Sequence, residues 1–203
     1  MTAVRGAALL SLLVAQSVSY PPPFPRAGAT KMLDNDRVQV WNVSWPKGTP
    51  TPLHRHPYDM TGTYYAPGDR LITAVDGTKR PVTTAAGGIV WQLRGVTHIE
   101  EGTSDVPLRA VMIELKQDGP RGQTETASFP AGAKQLLDNA RVTVWETMRT
   151  QAPSAFPHKH SRDAVVVSIE GATPRAVYLP RGTVHNEEPI AAAASRVVVF
   201  ELK

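Results

Sequence analysis

The stretch Gly48-Thr49-Pro50-Thr51-Pro52-Leu53-His54-Arg55-His56 decides how the rest of the chain is read. The 203 residues contain six histidines: His54, His56, His98, His158, His160 and His185. The second pair, His158 and His160, follows the first at an offset of 104, and His185 follows His98 at 87, so every histidine belongs to a duplicated triplet. Residues two apart on a strand face the same side, which lets His54 and His56 aim their imidazoles at one point. Imidazole is the commonest protein metal ligand, so both triplets are candidate metal sites.

The repeat extends well beyond the histidines. Leu33-Asp34-Asn35, Arg37-Val38 and Val40-Trp41 recur at an offset of 104 as Leu137-Asp138-Asn139, Arg141-Val142 and Val144-Trp145. Further on, Arg94, Gly95, Glu114, Leu115 and Lys116 recur at 87 as Arg181, Gly182, Glu201, Leu202 and Lys203. The fall from 104 to 87 removes 17 residues from the second copy, all between His160 and His185. At about 5 to 6 residues per strand plus a turn, that equals one hairpin. The second cavity is therefore expected to be smaller or more open, and the first copy to be the better candidate for substrate chemistry. A period this long reads as two copies of one small domain rather than a solenoid. Halves of this size bury too little surface to be robust alone, so the copies are expected to pack together.

Composition narrows the chemistry. Lys and Arg number 22 against 18 Asp and Glu, a formal charge of +4 without a basic run, which is a poor footprint for nucleic acid. There is no cysteine, which excludes disulfides, thiolate metal sites and cysteine nucleophiles. Arg5 precedes an apolar run from Gly6 to Ala15, and Gln16-Ser17-Val18-Ser19 supplies small residues suited to cleavage. Residues 1–19 thus read as a secretory signal peptide, with a periplasmic or secreted product. The run falls short of the roughly 20 residues that span a bilayer, so no stable membrane insertion is expected. Residues 20–30, with Pro21, Pro22, Pro23 and Pro25, read as an extended linker.

From residue 31 the pattern is that of strands. Residues 37–43 alternate apolar and polar positions, as does the twin stretch 141–145. Short runs follow at 63–65, 71–75, 82–84 and 89–91, separated by the turn signals Pro67-Gly68-Asp69, Asp76-Gly77 and Gly87-Gly88. The copies close with residues 108–115 and 198–202, and no stretch has a helical period. The first domain spans 31–116, a polar linker 117–130, and the second domain 131–203. An all-β sandwich or barrel, made twice, is expected.

These residues resemble the cupins. That family's first motif is a glycine, five residues, His-x-His and a glutamate three or four residues later, and Gly48, His54 and His56 fit it. The second motif, Pro-x-Gly-x-x-His, is matched in full by Pro180 to His185 and, apart from its first position, by Leu93 to His98. The resemblance covers residues 31–203 and implies two double-stranded β-helix (jelly-roll) barrels, the second shortened, each holding a divalent metal through its histidines. One departure is chemical. The glutamate position falls on Met60 or Thr61 and on Ala164 or Val165, which leaves three neutral imidazoles per site. Asp59 and Asp163 lie one residue earlier and read as turn and capping residues, or as ligands if the turn is remodelled. Glu100, Glu101, Glu187 and Glu188 follow the third histidines, either orienting imidazoles or as solvated strand-end charges. Tyr64, Gln92 and Arg94 are candidates for the first pocket.

Similarity to three-histidine cupins implies an iron-dependent dioxygenase acting on a small organic molecule. Zinc, manganese, copper and nickel are the competing ions, zinc pointing to a hydrolase or isomerase. The alternative is a non-catalytic cupin that binds a small molecule or sugar, since the fold does not fix the function. The expected partners are a small-molecule substrate or ligand and, in one arrangement, a second copy as a homodimer.

Overall fold

A computed structural model describes residues 19–117, 133–148, 158–185 and 196–203. The signal-peptide reading, nearly all of the inter-copy linker, and Glu187 and Glu188 lie outside these residues. In the first copy, β1 (Ala29–Asp34), β2 (Val38–Trp45), β4 (Asp59–Ala66), β7 (Ile89–Gln92) and β9 (Leu108–Leu115) form a sheet ordered β1-β2-β9-β4-β7. Facing it, β3 (His54–Arg55), β5 (Gly68–Ala74), β6 (Lys79–Thr84) and β8 (Thr97–Gly102) form a sheet ordered β3-β8-β5-β6.

The second copy repeats the first sheet strand for strand. Its members are β10 (Lys134–Asp138), β11 (Val142–Met148), β13 (Ala164–Glu170), β14 (Thr173–Leu179) and β16 (Arg196–Leu202), ordered β10-β11-β16-β13-β14. Of the facing sheet, the described residues hold only the pair β12 (His158–Lys159) and β15 (Val184–His185). The strands without a counterpart are β5 and β6, the hairpin that the 17-residue deletion anticipates. In its place β13 returns directly as β14, with Glu170 paired to Thr173 across a turn at Gly171.

One turn signal is misplaced. Gly68 and Asp69 belong to β5, and Pro67 alone separates it from β4. The chain here passes from one sheet to the other so close to β9 that a Cβ on Gly68 would lie 2.7 Å from the Leu108 amide nitrogen. Only glycine fits that approach.

Strand alternation partitions the core. On β9, Leu108, Ala110 and Met112 face the first barrel's interior with Trp41, Val43, Trp45, Met60 and Tyr64. Val111, Ile113 and Leu115 face the other way and join Val38, Val40, Val142, Val144, Val165, Val167, Val198 and Phe200 in one cluster drawn from both copies. The two five-stranded sheets thus pack back to back. A strand buried on both faces reads as a near-continuous apolar run, as residues 110–113 of β9 do.

Ion pairs close the same interface reciprocally. Arg37 Nε lies 3.2 Å from Asp163 Oδ2, and Arg141 Nη1 lies 2.6 Å from Asp59 Oδ2. At the repeat offset of 104, Arg37 corresponds to Arg141 and Asp59 to Asp163, so the second pair is the first with the copies exchanged.

The extended-linker reading of residues 20–30 requires correction. Phe24 is buried and stacks on Trp41 at 5.0 Å between ring centroids, and the Arg55 amide donates to the Pro21 carbonyl at 2.9 Å. The proline-rich segment is a strap held against the barrel mouth, and β1 already begins at Ala29. Composition flagged the prolines but not the aromatic anchor between them.

Candidate metal centre

The first histidine triplet is assembled by two strands of the four-stranded sheet. His54 on β3 pairs with His98 on β8, and His56 follows two residues on. Glycine fixes the approach of the second motif. Gly95 has φ +85°, and its amide donates to the His56 carbonyl at 2.8 Å. Gly182, with φ +77°, does the same to His160 at 2.8 Å. The glycine common to both motifs is thus the residue that ties each His-x-His pair to the loop before the third histidine.

The three imidazoles converge. All are buried, with ring centroids 4.8 to 5.2 Å apart, and one ligand atom from each falls within 4.8 Å of the others. His54 Nδ1 donates to the Pro52 carbonyl at 2.9 Å, which fixes the tautomer and leaves the Nε2 lone pair available. Among the described residues that Nε2 has no partner. His56 Nε2 and His98 Nε2 lie 3.2 Å apart. Burial pushes all three below the ordinary imidazole range, His56 to about 4, where His98 and His54 add to the effect. Neutral, inward-facing nitrogens with an orphaned lone pair are the donor set a divalent ion requires, so the residues fit the expected group.

A cavity of about 510 Å³ opens beside His56 and His98. Tyr64 and Gln92 line it, as the sequence suggested; Arg94 lines instead a neighbouring cleft that shares His56 and Phe24. Met60 lies at the position of the missing carboxylate, buried and in the cavity wall. Asp59 does not ligate. Its Oδ1 accepts from the Arg94 amide at 2.9 Å and its Oδ2 meets Arg141, both on the strand's opposite face. Asp163 repeats this with the Arg181 amide at 2.9 Å and with Arg37.

Glu100 and Glu101 part company. Glu101 is half-buried, whereas Glu100, two residues after His98 and so on its face, points inward. Its Oε1 is 2.6 Å from Arg70 Nη1, and its Oε2 accepts from Trp45 Nε1 at 3.0 Å. Burial opposes ionisation of Glu100, but Arg70, His98 and the Trp45 bond outweigh it and hold the carboxyl below its usual range. Arg70 is the residue that sequence reading missed. It falls between the turn signal ending at Asp69 and the apolar run at Leu71, yet the strand starts two residues before it.

In the second copy, His158 pairs with His185 in backbone register, but the His158 side chain lies outside the description. The rings of His160 and His185 stack at 5.1 Å. His160 Nδ1 meets Glu201 Oε1 at 3.3 Å, and Glu201 Oε2 accepts from Trp145 Nε1 at 3.2 Å. Glu201 is therefore a carboxylate at the second triplet.

No protein-family model matches the sequence, and no curated protein does. Solved structures do match. AerE from Microcystis aeruginosa aligns over 91% of this chain and 98% of its own, at 12% identity and a TM-score of 0.60. A cupin 2 conserved barrel domain protein from Leptotrichia buccalis aligns over 86% and 88%, at 15% identity and a TM-score of 0.51. The chain has a cupin-type double-barrel fold. A cupin domain from Bordetella pertussis Tohama I also aligns, with 27% identity over 50% of this chain and 100% of its own and a TM-score of 0.42. The first three-histidine group, with His56 and His98 lining the cavity, is suited to a divalent metal.

Proposed function

We propose that this cupin is an exported metalloprotein whose first barrel holds a divalent ion, iron foremost, on His54, His56 and His98 and oxidises a small organic molecule as a dioxygenase. The reading rests on one observation: three buried, neutral imidazoles converge, His56 and His98 in the wall of a cavity and the His54 Nε2 left unpartnered among the described residues. An ion held by three nitrogens would act as Lewis acid and as template for substrate and dioxygen, because it keeps positions open. The chain's own part is to hold three ligands neutral, to fix the His54 tautomer through Pro52, and to keep bulk water out with Phe24, Trp45 and Met112. Export is supported by the charged and apolar order of residues 5–15.

The test is elemental analysis of purified protein with oxygen uptake across a substrate screen. With the second triplet disabled by His160→Ala, either His54→Ala or His98→Ala is expected to abolish bound metal. Metal content unchanged in both variants would sink the assignment. Tight metal without oxygen uptake would favour the non-catalytic binder, and turnover with zinc alone would favour a hydrolase or isomerase.

A further inference from the structure

The charge of the first cavity does not balance. Its lining holds two arginines, Arg70 and Arg80, against the single carboxylate Glu100. Arg26 adds to the surplus from just outside the lining. Its guanidinium carbon sits 5.2 Å from the Trp45 ring centroid, and that of Arg70 sits 4.9 Å from the same ring. Burial lowers the Arg26 pKa, Glu100 works against that, and Arg70 adds to it, as two cations sharing one carboxylate require. The family's ligand glutamate is absent at Met60, so an ion on three neutral histidines would bring two further positive charges with no carboxylate among its ligands to offset them.

Buried charge is expensive unless paired. Arg70 is only 7% exposed and spends Nη1 on Glu100 and Nη2 on the Tyr64 hydroxyl at 2.9 Å, but its Nε has no partner among the described residues. Arg80 is exposed on β6 and lines the same cavity, so one buried and one exposed arginine share the wall with His56 and His98. Much of the remaining wall is apolar or aromatic, with Phe24, Trp45, Met60 and Met112, alongside the polar Thr78, Gln92 and Thr97.

We propose that the ligand of this cavity is a small organic anion: a carboxylate on an apolar or aromatic body, with its charge held in the field of Arg70 and Arg80 and its body against Trp45 and Met112. This deepens the metal-centre reading by naming the substrate class, but its charge surplus exists in the metal-free protein too. The lone carboxylate then has a definite role. Glu100 holds Arg70 in place while opposing the ligand's charge, so it sets the affinity.

The probes are benzoate and hexanoate against their uncharged amides, benzamide and hexanamide. Binding to the mature full-length protein is followed by calorimetry and by Trp fluorescence, with and without zinc. Each carboxylate is expected to bind at least tenfold more tightly than its amide, in the metal-free protein as well as the loaded one. Glu100→Gln is expected to tighten benzoate by about tenfold, a gain that misfolding cannot mimic, and Arg80→Gln, on an exposed strand, to weaken it about threefold. Amides binding as well as acids, no carboxylate binding at millimolar concentration, or an unchanged or weaker benzoate affinity in a folded Glu100→Gln protein would each overturn the proposal. The two readings fail separately: preference for acids in a protein that takes no metal removes only the metal centre, while zinc bound without such preference removes only the anion.

Discussion

Met60 and Asp59 are adjacent in sequence and face opposite worlds, one the cavity and the other the second barrel. Met60→Glu is expected to strengthen metal binding, by about tenfold, because a carboxylate then joins the three imidazoles and offsets part of the ion's charge. Calorimetry showing weaker binding by an intact fold would mean that residue 60 does not reach the ion. Asp59→Asn keeps an acceptor for the Arg94 amide but gives up the ion pair to Arg141. It is expected to leave metal affinity alone and to destabilise the fold by about 1 to 2 kcal/mol in urea, between the values for exposed and fully buried pairs. Glu114 offers a pH test. Burial raises its carboxyl above the ordinary range, although its Oε2 accepts from Trp41 Nε1 at 3.0 Å. A raised acid keeps its proton longer folded than unfolded, so stability falls as pH rises from the unfolded value through the folded one. Glu114→Gln should flatten that fall, and denaturation midpoints measured across the acid range check it.

The elements were legible wherever period and punctuation agreed. The alternation at Val38 and Val40 marks β2, Asp76-Gly77 marks the β5–β6 hairpin, and the loss of 17 residues marks the strands that the second barrel lacks. What stayed hidden depends on partners distant in sequence. Nothing local says that Phe24 stacks on Trp41, that Arg70 turns inward to Glu100, or that Asp59 serves an arginine 82 residues away. Phe24→Ala is expected to cost about 3 kcal/mol and to loosen the strap, which limited proteolysis between residues 20 and 28 would detect. The hairpin's absence also makes the two sites unequal. Ligands on a looser scaffold must be ordered when an ion binds, at roughly 1 to 2 kcal/mol per residue fixed, so the second site should bind about a hundredfold more weakly or worse. Titrating His54→Ala and His158→Ala variants measures each remaining site, and equal constants would contradict it.

At the scale of the molecule, the shared cluster makes two barrels one cooperative unit. Phe200 of the second barrel is fully buried in the cluster formed with Val38, Val40, Val111 and Ile113 of the first. Phe200→Ala is expected to destabilise by about 3 to 5 kcal/mol and to lower the unfolding midpoint of both barrels together. Trp41 and Trp145 report on separate copies, so single-tryptophan variants would reveal two transitions if the halves unfold independently.

The exchanged pairs Arg37 with Asp163 and Arg141 with Asp59 carry a historical consequence. A contact in which each side presents the same acid and the same base is self-complementary, the signature of a twofold homodimer. One barrel that met its own twin through this face, later duplicated and fused, would leave such a seam. Fusion makes the twin permanent, because a tethered partner is present at an effective concentration that free diffusion does not supply. Selection on the second barrel can then relax everywhere except at the seam. The hairpin it has lost belongs to the sheet on the far side, where its removal leaves the neighbour's wall untouched.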